Sequence, residues 1–144
     1  MKVQTPVSVR LTRRYEATPE RVFDAFLDPE RARKFLFHKP TAKMIRAEID
    51  ARVGGKFAFV DRREGEDVEF AGQYLEIERP RRLVFSLNVK SVAMQGDRVV
   101  IEIAPQGKGC ELTLIHEINP ALAEFESRIE QGWIGIFDEL VKVL

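Results

Sequence analysis

Cysteine is almost missing from this chain. Cys110 is the only one, so no intrachain disulfide can form and no cysteine cluster can hold a metal. That scarcity suits a reducing compartment, and the cytoplasm is the expected location. An excess of either charge is missing too, because 23 basic residues face 23 acidic ones. A nucleic-acid binder draws most of its affinity from phosphate neutralisation and usually carries a basic surplus, so that class is set aside. Local clusters such as Arg79, Arg81 and Arg82 read as a solvated hairpin tip. No segment approaches the roughly 18 apolar residues of a membrane span. The first residues, Met1 to Pro6, lack the apolar core of a signal peptide, so the expectation is a soluble protein with no membrane partner. Histidine is scarce as well: His38 and His116 stand far apart, and with no clustered carboxylates no metal and no cofactor is expected. No Gly-x-Ser-x-Gly elbow and no phosphate-cradling glycine loop occurs. Catalysis is therefore the less favoured expectation.

What is present is patterned for one domain spanning residues 1–144. Thr18-Pro19, Asp28-Pro29 and Asn119-Pro120 each set a capping side chain before a proline. The cap oxygen accepts an otherwise unpaired backbone N–H, and proline gives up an N–H that the first helical turn leaves without a partner. Each site predicts a helix start. The first helix offers Val22, Phe23, Phe26 and Leu27 to the core, and the second Ala32, Phe35 and Leu36. The third carries Leu122, Phe125, Ile129, Trp133, Ile136, Phe137, Leu140 and Leu144 at three- and four-residue steps. Continuous from Pro120 to the C-terminus, it would run about 36 Å. Gly132 and Gly135 inside it cost about 1 kcal/mol each relative to alanine. Either sheet backbone or a ligand comes close there, or the glycines mark a local weak spot.

Between the helices the period is two. Val7, Val9, Leu11, Arg13 and Tyr15 form one strand face; Ile45, Ala47 and Ile49 the next; Phe57, Phe59 and Asp61 a third. Gly54-Gly55 and Arg63-Glu64-Gly65-Glu66 read as turns. Val68, Phe70, Gly72 and Tyr74 then alternate until Leu75 and Ile77 switch phase, which predicts a bulge or bend. Leu83, Phe85, Leu87 and Val89 follow Pro80; Gln95-Gly96-Asp97 reads as a turn; Val99, Ile101 and Ile103 precede the loop at 105–109. Leu112, Leu114, His116 and Ile118 close the series. The expected fold is α+β: about seven antiparallel strands in a curved sheet wrapped around a long C-terminal helix, with two short helices after the first strand.

Taken in order, several segments resemble a known family. They are Ala17-Thr18-Pro19-Glu20-Arg21-Val22-Phe23, Asp28-Pro29-Glu30, Gly54-Gly55-Lys56-Phe57, Gly72-Gln73-Tyr74-Leu75-Glu76-Ile77, Arg82-Leu83-Val84-Phe85, Leu112-Thr113-Leu114-Ile115-His116 and Gly132-Trp133. The chain resembles the START-like, helix-grip superfamily, also called SRPBCC, and within it the homologues of the activator of heat shock protein 90 ATPase. The resemblance implies a cavity between sheet and C-terminal helix, used across the superfamily for apolar or amphipathic small molecules, and it names a chaperone as a second kind of partner. One departure stands out: Phe35-Leu36-Phe37-His38-Lys39-Pro40 occupies a stretch where the family commonly carries tryptophans.

The inward aromatic set either lines such a cavity or fills a solid core. Expected on the wall are Phe35 and Phe37 from the helical pair, Phe57, Phe59, Phe70, Tyr74, Phe85, Leu87 and His116 from the strands, and Trp133 and Phe137 from the last helix. Arg13, His38 and Asp61 are the candidate polar contacts, because strand alternation and the loop after the second helix bring them towards the same space. The favoured alternative is that Arg13 and Asp61 pair with other charges or reach solvent at the sheet edge. His116 reads as a core histidine or a general acid or base, and His38 as a surface histidine or a mouth residue. The leading expectation is a binding domain for a small apolar or amphipathic molecule. A chaperone-directed interaction module and a cyclase- or hydrolase-like enzyme in the same cavity are the alternatives. Exposed sheet edges leave monomer and homodimer both open.

Overall fold

The computed structural model describes residues 7–89 and 94–144. Strand β1 (Val7–Tyr15) leads into helices α1 (Pro19–Leu27) and α2 (Pro29–Phe35). Six strands follow: β2 (Lys43–Ile49), β3 (Lys56–Arg63), β4 (Glu66–Glu78), β5 (Arg82–Val89), β6 (Met94–Gln106) and β7 (Gly109–Ile118). A 3-10 segment, Pro120–Phe125, then opens onto helix α3 (Glu126–Leu140) and a last 3-10 turn, Val141–Val143. The strands form one antiparallel sheet in the order β1-β7-β6-β5-β4-β3-β2. Because β1 and β2 lie at opposite edges, the α1–α2 pair must carry the chain across the full width of the sheet. Six gaps of about 4.8 Å set that width at roughly 29 Å.

All three capping sites behave as their chemistry requires. Thr18 Oγ1 accepts from the Arg21 N–H, Asp28 Oδ1 from the Glu30 N–H and Asn119 Oδ1 from the Ala121 N–H. The third opens a 3-10 segment instead of an α-helix, and this corrects the single rod expected from Pro120 onward. Leu122, with φ −109° and ψ 19°, leaves the helical region, so the segment bends before α3 begins. Helix α3 proper has 15 residues, about 22 Å at 1.5 Å per residue.

Three bulges curl the sheet. Leu75 is the extra residue between the pairs Tyr74–Phe85 and Glu76–Val84, where the switch of phase predicts one. The second overturns an expectation: Ile45 is the extra residue between Met44–Asp61 and Arg46–Val60, so Met44 turns inward and Ile45 is left exposed. The third corrects the turn expected at Gln95-Gly96-Asp97, which lies inside β6. There the register slips between Leu87–Asp97 and Val89–Met94, Gly96 takes φ 72°, and its N–H donates to Asn88 Oδ1 at 2.6 Å. Consequently Met94 and Asp97, three residues apart, are both buried. The connection between β5 and β6 falls outside the described residues.

Helix α3 is moored on one side of the sheet. The Tyr15 hydroxyl donates to the Phe137 carbonyl at 3.1 Å, and burial pushes that phenol above its ordinary value, so it remains a donor at any physiological pH. Arg13 pairs with Asp138 at 2.6 Å, and the Trp133 indole N–H donates to His116 on β7 at 2.9 Å. The Arg13 pair is largely solvated and contributes at most about 1 kcal/mol. Between the same helix and the middle of the sheet, packing is incomplete.

Candidate functional site

The incomplete packing is a cavity of about 400 Å³, within the range of small-molecule pockets. Its floor is sheet: Phe70 and Val68 of β4, Leu87 and Val89 of β5, Met94 of β6 and His116 of β7. Its roof is α3 and the bent segment before it, with Leu122, Phe125, Ile129, Trp133 and Ile136. One rim is the loop after α2, from Phe37 to Pro40. The bend at Leu122 matters here, because it brings Leu122 and Phe125 over the cavity end.

Five of the expected wall residues line this space: Phe37, Phe70, Leu87, His116 and Trp133. Phe35, Phe59 and Phe137 are buried elsewhere in the core. Phe57, Tyr74 and Phe85 surround a second void of about 10 Å³, barely room for one water. Both readings of the aromatic set are therefore partly realised, and the divide is Phe37. It alone belongs to both walls. Its ring stacks on Phe70 at 4.7 Å and meets Phe59 and Trp133 edge-on at 5.6 and 5.8 Å. Its backbone has φ 56°, a region costly for a bulky side chain, so the surrounding contacts must hold it there.

Gly132 and Gly135 both lie on the roof, and a Cβ built on either meets nothing within 4 Å. No sheet backbone presses on them, which corrects one of the expected reasons for glycine. Gly132→Ala and Gly135→Ala are each expected to raise stability by about 1 kcal/mol, since helix propensity improves and nothing is displaced. Denaturant titration measures this; a loss of stability would mean that the open space is filled in solution.

The polar candidates separate. Arg13 faces the helix side but is spent on Asp138, away from the cavity. His38 and Asp61 meet at the rim. Asp61 is fully buried on β3 and collects three donors: His38 Nδ1 at 2.7 Å, the Lys39 N–H at 3.1 Å and Arg63 Nε at 2.9 Å. Burial pushes its carboxyl up, but the His38, Arg63 and Lys39 hydrogen bonds together outweigh that and hold it below the usual carboxylate range. Arg63 also reaches the Phe37 carbonyl at 3.4 Å and lies 5.2 Å from the centre of the Phe70 ring. One buried carboxylate thus ties the loop to the strand.

Because the folded-state carboxyl is more acidic than an unfolded one, its contribution is complete above the unfolded value of about 3.9 and is lost as pH falls through the lower folded value. Urea midpoints measured from pH 6 down to 2 are expected to fall less steeply in Asp61→Asn than in the wild type. Parallel profiles would show that the cluster adds nothing.

His116 is buried on β7 with both ring nitrogens engaged. Trp133 can only donate, so Nδ1 must accept its N–H at 2.9 Å and carries no proton. The ring proton therefore sits on Nε2, donated to Asp97 Oδ2 at 2.9 Å. Asp97 is buried as well, and its Oδ1 has no partner among the described residues. A histidine held this way orients Trp133 over the cavity; it offers no free nitrogen to a reacting group.

Sequence reading passed over Arg63, Asp97, Lys39 and Arg128. Arg63 was legible in principle, being two residues beyond Asp61 on the same strand face. Asp97 is in phase with Val99, Ile101 and Ile103 and was legible on the same ground, but the turn expected at Gln95-Gly96-Asp97 took it out of the strand.

A seven-stranded curved sheet holding a C-terminal helix, with two short helices after the first strand, defines the helix-grip, START-like fold. Among the described residues no helix is long and apolar enough to cross a membrane. The chain belongs to the family described as Activator of Hsp90 ATPase homolog 1-like protein, whose model matches residues 16–144. It is similar to protein CV1439 from Chromobacterium violaceum, with 28% identity over 94% of both chains and a TM-score of 0.79. It is also similar to the Mll3558 protein from Rhizobium loti, with 25% identity, 97% of this chain and 98% of that one covered, and a TM-score of 0.76. The AHSA1-like protein from Aeromonas hydrophila shares the fold at 20% identity and a TM-score of 0.77, over 95% of this chain and 91% of its own. No curated protein matches the chain.

Proposed function

We propose that this domain binds a small apolar or amphipathic molecule in the cavity between the sheet and α3. The observation that carries this reading is about 400 Å³ of space walled mainly by apolar side chains, far more than the void of about 10 Å³ beside Phe57, Tyr74 and Phe85. Protein interiors pack to crystal-like density, so space of this size is a feature that the fold maintains at a cost. The bound form needs no large movement, because Asp61 already fixes the rim and His116 already orients Trp133. Catalysis is the weaker reading. The one histidine on the floor has both nitrogens occupied by protein groups.

Titration with 1-anilinonaphthalene-8-sulfonate, followed by displacement with apolar and amphipathic metabolites, tests this. Saturable one-to-one binding that Leu87→Trp abolishes in a still-folded protein is the expected result. Binding unaffected by filling the cavity would locate the probe elsewhere and remove the proposal's basis. The family description also names a chaperone activator. A chaperone-directed role would show as a changed ATPase rate of heat shock protein 90 on adding this chain.

A further inference from the structure

The charged groups on the cavity wall itself are basic, and the Asp61 carboxylate lies behind that wall, bound to Arg63 and His38. His38, Lys39 and Arg63 stand on the loop and strand at one rim, Arg128 stands on α3 at the roof, and no aspartate or glutamate is on the wall among the described residues. In a chain with equal numbers of basic and acidic residues, this segregation is local. Arg63 is held by its Nε on Asp61 and by Nη2 on the Phe37 carbonyl, and its Nη1 has no protein partner among the described residues. Lys39 and Arg128 form no ion pair with any described acid, although most arginines of the chain do. Arg128 instead lies 5.8 Å from the centre of the Phe125 ring, itself a wall residue. Several uncommitted N–H groups therefore border an apolar chamber.

Resting on the proposed binding role, we infer that the ligand is an amphipathic monoanion, with its apolar body in the chamber and a carboxylate held by the basic groups of the wall, Arg63 and Lys39 on one rim and Arg128 on the roof. Arginine and lysine N–H groups bind carboxylates through charge-assisted hydrogen bonds, stronger than neutral ones, and a low-dielectric wall behind the head group strengthens them further. Asp61 is a positioning residue in this arrangement. It collects Arg63, His38 and the Lys39 backbone at one point, so the rim is set before the ligand arrives. A neutral ligand of the same length fills the chamber equally well but leaves the rim cations to water. A cationic amphiphile is repelled.

Isothermal titration with sodium decanoate, decan-1-ol and decylamine hydrochloride, on the wild type and on Lys39→Gln/Arg128→Gln, tests this. Both replaced side chains are exposed, so the variant retains the fold. Decanoate is expected to bind about tenfold more tightly than decanol in the wild type, the sum of two or three partly solvated ion pairs. In the variant that preference should shrink to about twofold while decanol is unchanged, and the preference should weaken with salt. Equal binding of decanoate and decanol, or tightest binding of decylamine, overturns the anionic ligand while leaving the cavity's binding role intact. Failure of all three probes to bind overturns both.

Discussion

Phe37→Ala is expected to cost about 3–5 kcal/mol of stability and to join the chamber under α3 to the void behind it. The ring is the partition between the two spaces, packed against Phe57, Phe59, Phe70 and Trp133. Equilibrium urea unfolding reads the loss, and ligand size reads the enlarged chamber, since the variant should admit a longer or broader apolar body. Phe37→Gly supplies an internal control. At φ 56° glycine is unstrained where alanine is not, so glycine should be as stable as alanine here or more so, by up to about 1 kcal/mol, reversing the usual order. If alanine were the more stable of the two, the left-handed backbone at Phe37 would not persist in solution. A loss below about 1 kcal/mol would mean that the partition does not exist.

The second large effect lies at His116. His116→Leu should destabilise by about 3–5 kcal/mol, because it strands the buried Asp97 carboxylate and leaves the Trp133 N–H without an acceptor. The size of the loss belongs to what is left unpaired, not to the pair itself. Both groups are taken out of water, and among the described residues one Asp97 oxygen has no partner, so the pair carries a desolvation cost. The double variant Asp97→Leu/His116→Leu should therefore recover most of the loss, leaving chiefly the orphaned indole N–H, at about 1–3 kcal/mol. Denaturation of the two single variants and the double closes the cycle. Additive losses would show that the two side chains act independently and that the His116–Asp97 contact carries no coupling. Trp133 fluorescence gives a second reading, since the indole loses its partner in either variant that lacks His116.

The legible part of this protein follows from local rules. A capping oxygen before proline begins a helix whatever surrounds it, and all three such sites do so. Period-two and period-3.6 patterns mark which face of each element is apolar, and they place His116, Trp133, Phe70 and Leu87 on the inner side, where they are found. The phase switch at Leu75 is visible for the same reason. Alternation breaks only where the ladder gains a residue.

What the sequence alone decided is thus where most elements lie, most of their apolar faces and their family. It left open which inward side chains would close on one another and which would border empty space. Nothing in the pattern separates Phe57, in the packed aromatic core, from Phe70, on the chamber floor. That depends on how far the bulges at Ile45 and Gly96 curl the sheet and where the chain bends at Leu122. Asp97 and Arg63 lie on faces that alternation marks, but Asp97 meets His116 and Arg63 meets the Phe37 carbonyl only once distant segments come together. A bulge changes the facing of every residue beyond it, and pairing between distant strands brings charges within hydrogen-bond reach. Periodicity is a property of each segment by itself, whereas a cavity is a mismatch between surfaces that meet only in three dimensions.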